Sequence, residues 1–302
     1  AFGSICAQHA GVLNVGSEDC LFLNVGAPLA RASLLPVLVW IHGGSYVSGA
    51  SNLYDPAPLV AASNNTVVVV TVNYRLSVFG FLGGDAVATR TADGSAGNFG
   101  IQDQRLALQW VHDHIASFGG DPNAVTIFGE SAGGNSVFNH LAQPLSFPLY
   151  RGAIVESGLY NEGAFPAAQA NARFAELGVA VGSCATIGCL LNQSTSELLG
   201  AIRRLPRPAG RKTEAAPWGP IVDGVNLVDT PERLFRAGKQ NRVPVVLGSN
   251  RDEMSFWLLT ALSPTLTEAA FEDKLRDFRP AVFGNASLLA EVKALYDGSL
   301  TP

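Results

Sequence analysis

A serine flanked by glycines constrains this chain more than any other feature. The pentapeptide Gly-Glu-Ser-Ala-Gly at 129–133 follows an apolar run at 125–128 and opens a stretch of helical character at 132–141. A serine at the tip of such a strand-to-helix turn takes a strained backbone conformation, so the residues two positions away on either side must be small. Both of those positions are glycine. Ser131 is therefore the candidate nucleophile.

Length and composition describe a globular protein. The chain has 302 residues, of which 47% are hydrophobic and only 15% are charged. That balance suits a large buried core and excludes a disordered chain. The net charge of −5 is spread without long runs, so we expect no nucleic-acid partner. The longest apolar runs, such as 67–70, are far shorter than the ~20 residues of a membrane helix, and we expect no membrane span.

Apolar runs rich in β-branched residues alternate with helical patterns along the chain. Turn residues bound these runs, which lie at 36–41, 67–72, 125–128, 153–155 and 243–247. This order predicts an α/β fold with a mostly parallel central sheet flanked by helices. A helix is predicted at 102–117, and further helices at about 160–217 and 266–302, where the strand pattern fades.

Four cysteines and three glycosylation sequons are compatible with the secretory route. Cys6 with Cys20 and Cys184 with Cys189 would each close a local loop, although four cysteines allow three connectivities. The sequons begin at Asn64, Asn192 and Asn285. We expect a secreted glycoprotein, with a signal peptide outside this sequence, because the chain starts without Met and without a signal-peptide pattern.

Four separated motifs occur in a fixed order. They are Glu-Asp-Cys-Leu-Phe-Leu-Asn-Val at 18–25, Trp-Ile-His-Gly-Gly-Ser-Tyr at 40–46, Asn-Tyr-Arg and Phe-Gly-Phe-Leu within 73–82, and Phe-Gly-Gly-Asp-Pro before Gly-Glu-Ser-Ala-Gly-Gly within 118–134. Together they resemble the type-B carboxylesterases, a family that includes cholinesterases, Candida-type lipases and neuroligins. The resemblance implies an α/β-hydrolase fold. In that fold 1–302 would form a single partial domain, incomplete at both ends, with a helical cap-like insertion at about 160–217.

The turn at 42–45 suits the binding of a developing oxyanion. Acyl transfer needs backbone donors aimed at the oxygen that becomes negative, and small residues let the backbone come close. The resemblance implies that these donors are the N–H groups of Gly44, Ser45 and Ala132. Ser45 stands where the family more often has a third glycine, and its backbone N–H remains. The resemblance also makes His42 a structural residue and not the general base.

The acid of a catalytic triad should follow a later strand, since the chain order in this fold is serine, acid, histidine. The apolar run at 243–247 leads into Gly-Ser-Asn-Arg-Asp-Glu at 248–253. Both Asp252 and Glu253 could serve on chemical grounds. The resemblance selects Glu253, although Met254 replaces the glycine that usually follows the acid.

Other site residues are implied only by the resemblance. It places Glu130 and Ser157 beside the catalytic cluster as supporting residues. From the residues alone, either could be an ordinary capping or strand-end polar group. Arg105 and Asp121 resemble a structural ion pair of the family.

An activated serine also needs a base, and no histidine follows His140 in the chain. His140 lies nine positions past Ser131 on the same predicted helix, roughly 13 Å along its axis, too far to act as base. His9 is only a remote alternative. The resemblance places the histidine a hundred residues or more beyond Glu253. We therefore expect this chain to be a fragment without the triad histidine and to hydrolyse esters feebly or not at all.

The sequence also bears on the substrate. The loop closed by Cys6 and Cys20 is short and carries no Phe, Trp or Tyr at 7–19, which disfavours an interfacial lipase or a choline esterase. By resemblance, Trp218 lies in the region that shapes the acyl pocket, where a bulky indole would favour small acyl groups. Trp218 could equally be a core residue.

Two functions from different classes follow. The first is a serine carboxylic ester hydrolase acting through an acyl-enzyme on small-molecule esters. The alternative is a catalytically silent, neuroligin-like adhesion or binding module on the same fold. The His-Gly-Gly-Ser-Tyr turn at 42–46 resembles the corresponding turn of neuroligins. The intact Gly-Glu-Ser-Ala-Gly-Gly motif favours the esterase. No metal or organic cofactor is expected, because the sequence shows neither a Cys/His cluster nor a phosphate-cradling loop.

Overall fold

A computed structural model describes six stretches of the chain, namely 2–29, 33–158, 163–205, 218–253, 267–278 and 284–295. The chain divides into two compact units. The first consists of Ala1–Leu205 and Trp218–Asn250, and the second of Pro206–Pro217 and Arg251–Pro302. The strands and most of the described helices belong to the first unit.

Eight strands are described. They are β1 Gln8–Ala10, β2 Leu13–Val15, β3 Leu23–Gly26, β4 Leu35–Ile41, β5 Val68–Val72, β6 Gly120–Glu130, β7 Gly152–Glu156 and β8 Val245–Gly248. Six of them form one sheet in the order β3-β5-β4-β6-β7-β8. The antiparallel strand is β3, and all other neighbours in this sheet run parallel. The predicted mostly parallel central sheet is confirmed.

Helices lie between the strands. In the first unit they are α1 Ala57–Ala62, α2 Ser77–Phe81, α3 Asp85–Ala88, α4 Phe99–His114, α5 Ala132–His140, α6 Ala167–Ala180, α7 Ile187–Leu191, α8 Thr195–Ile202 and α9 Pro231–Arg236. Short 3-10 helices cover Ser51–Leu53, Ile115–Phe118 and Pro144–Leu149. The helix predicted at 102–117 is α4, which begins and ends three residues earlier. The predicted helical stretch after 160 contains α6, α7 and α8, and their role as a cap stays a prediction.

The central strands form the core. All five residues of β5 are buried, as expected for a β-branched strand covered on both faces of a parallel sheet. In β4, Val37, Val39 and Ile41 are fully buried. Their alternation with less buried neighbours places one face of the strand against the deepest part of the core.

Both predicted disulfides are confirmed. Cys6 bonds to Cys20 with their Cα atoms 4.8 Å apart, and Cys184 bonds to Cys189 with a Cα separation of 5.4 Å. The first bridge closes a loop that contains the antiparallel pair β1 and β2. Neither these two short strands nor β3 was predicted from the sequence, because three or four residues give too little pattern.

The second unit contains the helices Glu268–Phe278 and Ala286–Leu295. The Lys293 ammonium pairs with the carboxylates of Glu268 and Glu272, and Arg276 also pairs with Glu272. The two Lys293 ion pairs join the helices at the surface, and the Arg276 pair lies within the first of them. In the part of the chain that the structure describes, no helix is both long and apolar enough to cross a membrane.

Candidate active site

Ser131 occupies the tight turn that joins β6 to α5. Its backbone has φ 56° and ψ −120°, a conformation that side-chain-bearing residues rarely adopt and that is typical of a nucleophile elbow. The Ser131 N–H donates to the carbonyl oxygen of Glu156, 2.9 Å away, at the end of the neighbouring strand β7. This hydrogen bond fixes the Ser131 backbone. The residue is half-buried, so its side chain stays accessible.

The two glycines around Ser131 are required by close backbone contacts. A Cβ atom on Gly133 would lie 1.9 Å from the carbonyl oxygen of Ile41, at the end of β4. A Cβ atom on Gly129 would lie 2.6 Å from that same oxygen and 2.6 Å from the carbonyl carbon of Gly133. The steric reason for the glycine spacing is thus visible in the fold, since any larger residue would push α5 away from the sheet.

The turn after β4 lies against the nucleophile. A Cβ atom on Gly43 would be 3.1 Å from the Cβ of Ser131. Three successive residues of this turn have positive φ, namely Gly44 at 110°, Ser45 at 55° and Tyr46 at 60°. Two adjacent side-chain-bearing residues in the left-handed region store about 1–3 kcal/mol of strain each. Such strain is typical of a turn held for function.

Three backbone donors lie at this place. The N–H groups of Gly44, Ser45 and Ala132 have no hydrogen-bond acceptor among the described residues. Gly44 and Ser45 are half-buried, and Ala132 begins α5. N–H groups at a helix N-terminus and in a glycine turn can donate hydrogen bonds to a negatively charged oxygen. These are the residues that the sequence predicts for the oxyanion hole.

His42 is held as a neutral ring. Its Nδ1–H donates to the carbonyl oxygen of Gly43 at 2.8 Å, and its ring stacks on Tyr74 with the centroids 4.4 Å apart. The Tyr74 hydroxyl donates to the His42 carbonyl at 2.8 Å. Burial lowers the pKa of His42 to about 4, although the Gly43 hydrogen bond opposes the shift. These contacts support the predicted structural role.

His140 is completely buried away from the elbow. Its ring nitrogens hydrogen-bond to Ser146 Oγ at 2.9 Å and to Gln104 Oε1 at 3.0 Å. Burial, with a smaller contribution from the Arg105 charge, lowers its pKa to about 3. His140 therefore stays neutral and locked in the core.

His9 lies in the disulfide loop and faces α8. Its Nε2–H donates to the carbonyl oxygen of Leu199 at 3.0 Å. Its Nδ1 accepts from Arg203 Nε at 3.1 Å. Both ring nitrogens are occupied, so His9 is not placed to take a proton from Ser131.

The predicted supporting residues lie at the carboxyl ends of β6 and β7. Glu130 is opposite Glu156 in the register of these strands, and its Oε2 would be 3.1 Å from a Cβ atom on Gly43. Ser157 has a positive φ of 50°, and its N–H donates to the Gly248 carbonyl at 2.8 Å. Burial raises the pKa of Glu156. The catalytic roles of Glu130 and Ser157 stay predictions.

Trp218 is a core residue whose side chain is only 2% exposed. Its indole Nε1 has no hydrogen-bond partner within the described ranges. Gly219 follows it against the Tyr46 ring, where an added Cβ would be 3.3 Å from Cδ2. Trp218 therefore belongs to the core, and its influence on the acyl group stays a prediction.

Two further sequence expectations concern charged residues. Glu253 is exposed and belongs to the second unit, so its role as triad acid stays a prediction. The expected Arg105–Asp121 ion pair is wrong. Arg105 instead donates to Gln143 at 3.3 Å and to Asn226 at 2.9 Å. Asp121, near the start of β6, accepts from the N–H of Asn123.

Sequence reasoning missed the side chains that join the turn at 42–46, called here the oxyanion turn, to α5. Tyr46 and Asn135 are both buried and hydrogen-bonded to each other. They are 89 positions apart, and no local pattern predicts such a contact. A tyrosine directly after the glycine turn was the one available signal.

Comparisons with known proteins agree with this architecture. The profile of the Carboxylesterase family matches residues 1–290. The acetylcholinesterase of Danio rerio is 41% identical over 263 residues, which cover 81% of this chain and 39% of that protein. The para-nitrobenzyl esterase of Bacillus subtilis (strain 168) is 39% identical over 264 residues, covering 84% and 52%. The predicted resemblance is confirmed.

A solved structure described as a PNB esterase shares the fold. It superposes with a TM-score of 0.81 at 34% identity, over 96% of this chain and 60% of that chain. The predicted α/β-hydrolase fold is confirmed. The chain spans about half the length of the curated relatives it matches, between 39% and 53%.

Proposed function

The chain belongs to the Carboxylesterase family, and from that premise we propose that the full-length protein is a serine hydrolase that cleaves carboxylic esters through an acyl-enzyme. One observation carries the proposal. Ser131 stands in the strained elbow beside a turn that offers, with Ala132, three backbone N–H groups without acceptors among the described residues. A purely structural turn would have no use for unpaired donors next to an accessible hydroxyl.

In the proposed reaction Ser131 Oγ attacks the carbonyl carbon of the ester. The serine proton passes to a base as the new C–O bond forms. The carbonyl oxygen becomes negative and accepts hydrogen bonds from the N–H groups of Gly44, Ser45 and Ala132. The bond to the alkoxy oxygen then breaks, and the base returns the proton to the departing alcohol. Water repeats the sequence on the acyl-enzyme and releases the carboxylic acid.

The base in this proposal is a histidine other than the five in this chain. His42 and His140 are buried, and their hydrogen bonds go to other residues. His9 is occupied by Leu199 and Arg203. The exposed His112 and His114 lie at the end of α4. Glu253 would orient the histidine and stabilise its protonated form.

The proposed substrates are esters with small acyl groups. Trp218 is buried in the core, and its neighbour Gly219 lies against the Tyr46 ring. A fixed indole at this depth leaves little room for a long acyl chain. The disulfide loop is also held down by hydrogen bonds between His9, Arg203 and Leu199, which does not suit a mobile lipase lid.

We also propose that the protein passes through the secretory pathway. Its four cysteines form two disulfides, which persist in oxidising compartments. The sequon residues Asn64, Asn192 and Asn285 are all exposed and would carry glycans.

Active-site labelling tests the proposed function. We expect a fluorophosphonate to label the full-length protein, with mass spectrometry locating the adduct on Ser131. Ser131→Ala should lose both labelling and hydrolysis of p-nitrophenyl acetate. Ser63→Ala, at the end of α1, is the matched control and should keep both. An adduct on another serine would contradict the assignment, and a folded protein with neither labelling nor hydrolysis would favour the binding-module alternative.

Acyl length tests the substrate class separately. We expect p-nitrophenyl acetate and butyrate to be hydrolysed with a much higher kcat/KM than the decanoate. Trp218→Ala should raise the relative rate for the longer esters if the indole limits the pocket. An unchanged ratio in a folded variant would show that Trp218 is a core residue only.

A further inference from the structure

The Tyr46 side chain connects the oxyanion turn to the helix that begins after the nucleophile. Tyr46 is buried, and its hydroxyl donates to Asn135 Oδ1 at 2.7 Å. The hydroxyl of Ser136 lies 3.3 Å from the same tyrosine oxygen. The two partners are the fourth and fifth residues of α5. A buried hydrogen bond thus joins two segments that are far apart in sequence.

The acceptor end of this bond is fixed. The Asn135 N–H donates to the Ser131 carbonyl oxygen at 2.9 Å, and this bond fixes the Asn135 backbone relative to the nucleophile. Its Oδ1 also accepts from Asn139 Nδ2 at 3.1 Å. Asn139 Nδ2 points at two carbonyls, those of Asn135 and Gly163, so this nitrogen is a donor. The amide of Asn135 is therefore oriented with its oxygen toward Tyr46.

The tyrosine end is fixed as well. The N–H of Ser77 donates to the Tyr46 carbonyl at 2.7 Å. The Tyr46 ring packs against Phe81 with the centroids 4.6 Å apart, and against the edge of Tyr74 at 6.4 Å. Its φ of 60° is left-handed, a conformation that persists only when surrounding contacts hold it.

The position of this bond relates it to the proposed oxyanion hole. Ser45, one proposed donor, immediately precedes Tyr46, and Ala132, another, lies three residues before Asn135. The bond therefore links the two pieces of backbone that carry these donors. Oxyanion donors act only when their distance to the developing charge is correct, and a shift of about 1 Å in a reacting geometry can cost about 10²-fold in rate.

We propose that Tyr46 is a positioning residue, which acts through its hydrogen bond to Asn135 to hold the Ser45 and Ala132 N–H groups at the spacing that an oxyanion requires. This inference rests on the proposed ester hydrolase function. Tyr46 does not touch the reacting atoms. Its contribution is realised in the transition state, because the ester carbonyl of the bound substrate makes weaker demands on the same donors.

The test compares two single-oxygen deletions in the full-length protein. Tyr46→Phe removes the hydroxyl that meets Asn135. Tyr150→Phe is the matched control, because this buried tyrosine donates to the His140 carbonyl at 3.1 Å, at the other end of α5. The measurements are kcat and KM for p-nitrophenyl acetate, the affinity for a trifluoromethyl ketone that forms a tetrahedral adduct, and the melting temperature.

We expect Tyr46→Phe to lower kcat about tenfold or more while KM stays within about twofold, and to weaken ketone binding by a similar factor. Tyr150→Phe should lower the melting temperature comparably and leave kcat within about twofold. If Tyr46→Phe does not fold, Asn135→Leu provides the second deletion of the same bond. In a folded double variant, Asn135→Leu should add little to the loss already caused by Tyr46→Phe.

The outcomes separate the two proposals. An active wild type whose Tyr46→Phe variant keeps its kcat, or loses no more than Tyr150→Phe, overturns the positioning role alone. A raised KM with unchanged kcat also overturns it, since the contact would then serve substrate binding. A folded wild type that neither hydrolyses the ester nor binds the ketone overturns the proposed function, and this inference with it.

Discussion

Arg75 and Asp103 form a bidentate ion pair that connects the segment after β5 to α4. The Arg75 Nε and Nη2 donate to the two carboxylate oxygens at 2.8 and 2.7 Å, and the Arg75 backbone N–H adds a third bond at 3.0 Å. The Asp103 side chain is only 4% exposed, against 35% for Arg75. Tyr74, the residue before Arg75, donates its hydroxyl to the His42 carbonyl oxygen. The Arg75–Asp103 pair therefore anchors the segment that supports the oxyanion turn.

Removing the charge of Asp103 should destabilise the fold. Asp103→Asn keeps the shape but cannot satisfy all three Arg75 donors, and we expect a loss of about 2 kcal/mol, less than for a fully buried pair because Arg75 is partly hydrated. Urea unfolding measures this loss in the free energy of unfolding. Asp113→Asn, which breaks the exposed pair with His112, is the control and should leave the transition unchanged. Equal effects for both variants would contradict the importance of the buried pair.

Gly133 should not tolerate a methyl group. Gly133→Ala would place its Cβ 1.9 Å from the Ile41 oxygen, and moving α5 away should cost about 3 kcal/mol or more and abolish labelling of Ser131. Gly200→Ala is the control, since among the described residues its Cβ would meet within 4 Å only the end of the Arg204 side chain, at 3.7 Å. This helical position should gain about 0.5–1 kcal/mol. Thermal unfolding and Ser131 labelling of both variants test this prediction. A stable Gly133→Ala protein that is still labelled would refute the steric explanation.

His140 should make the fold sensitive to acid. Its pKa is lowered to about 3 by burial, below the usual 6.5, so the unfolded chain binds a proton more readily than the folded one. Stability contributed by the neutral ring is therefore present above pH 6.5 and is lost as the pH falls toward 3. The slope is at most ~1.4 kcal/mol per pH unit. His42, with a pKa of about 4, adds to the same trend.

A variant separates the His140 contribution from general destabilisation. In His140→Gln the free energy of unfolding should depend less steeply on pH between about pH 4 and 6.5, by up to one proton. Val137→Ala, buried on the same helix, should weaken the fold without changing that slope. Urea titrations across this pH range give both values. An unchanged slope in His140→Gln would show that other groups carry the acid sensitivity.

A feature of the fold or of the candidate site could be predicted from the sequence when its physical cause lay in neighbouring residues. The elbow at Ser131 was predictable because its steric demand falls on residues two positions away. The strand β5 was predictable because five consecutive β-branched residues suit a buried strand. The Tyr46–Asn135 bond and the Arg75–Asp103 pair were not, since their partners lie 89 and 28 positions apart. Only the folded sheet determines which distant side chains meet.

Arg203 should protect the disulfide loop from proteolysis. Its guanidinium donates to His9 Nδ1 and to the carbonyl oxygens of Gly11 and Leu13. These bonds hold the tip of the β1–β2 pair against α8. At that tip Val12 is 83% exposed and Leu13 is 64% exposed, so a protease can reach the loop once it opens locally.

We expect Arg203→Met to speed thermolysin cleavage before Val12 or Leu13 by about threefold to tenfold, because losing several hydrogen bonds lowers the free energy of local opening by about 1 kcal/mol. Arg204→Met is the matched control, since Arg204 donates to Ala180 instead. The Cys6–Cys20 bridge retains the cleaved peptide until reduction, so mass spectra recorded before and after reduction identify cuts within this loop. Equal cleavage rates in the two variants would mean that the bridge alone restrains the loop. A faster rate only in Arg203→Met would assign that restraint to the arginine.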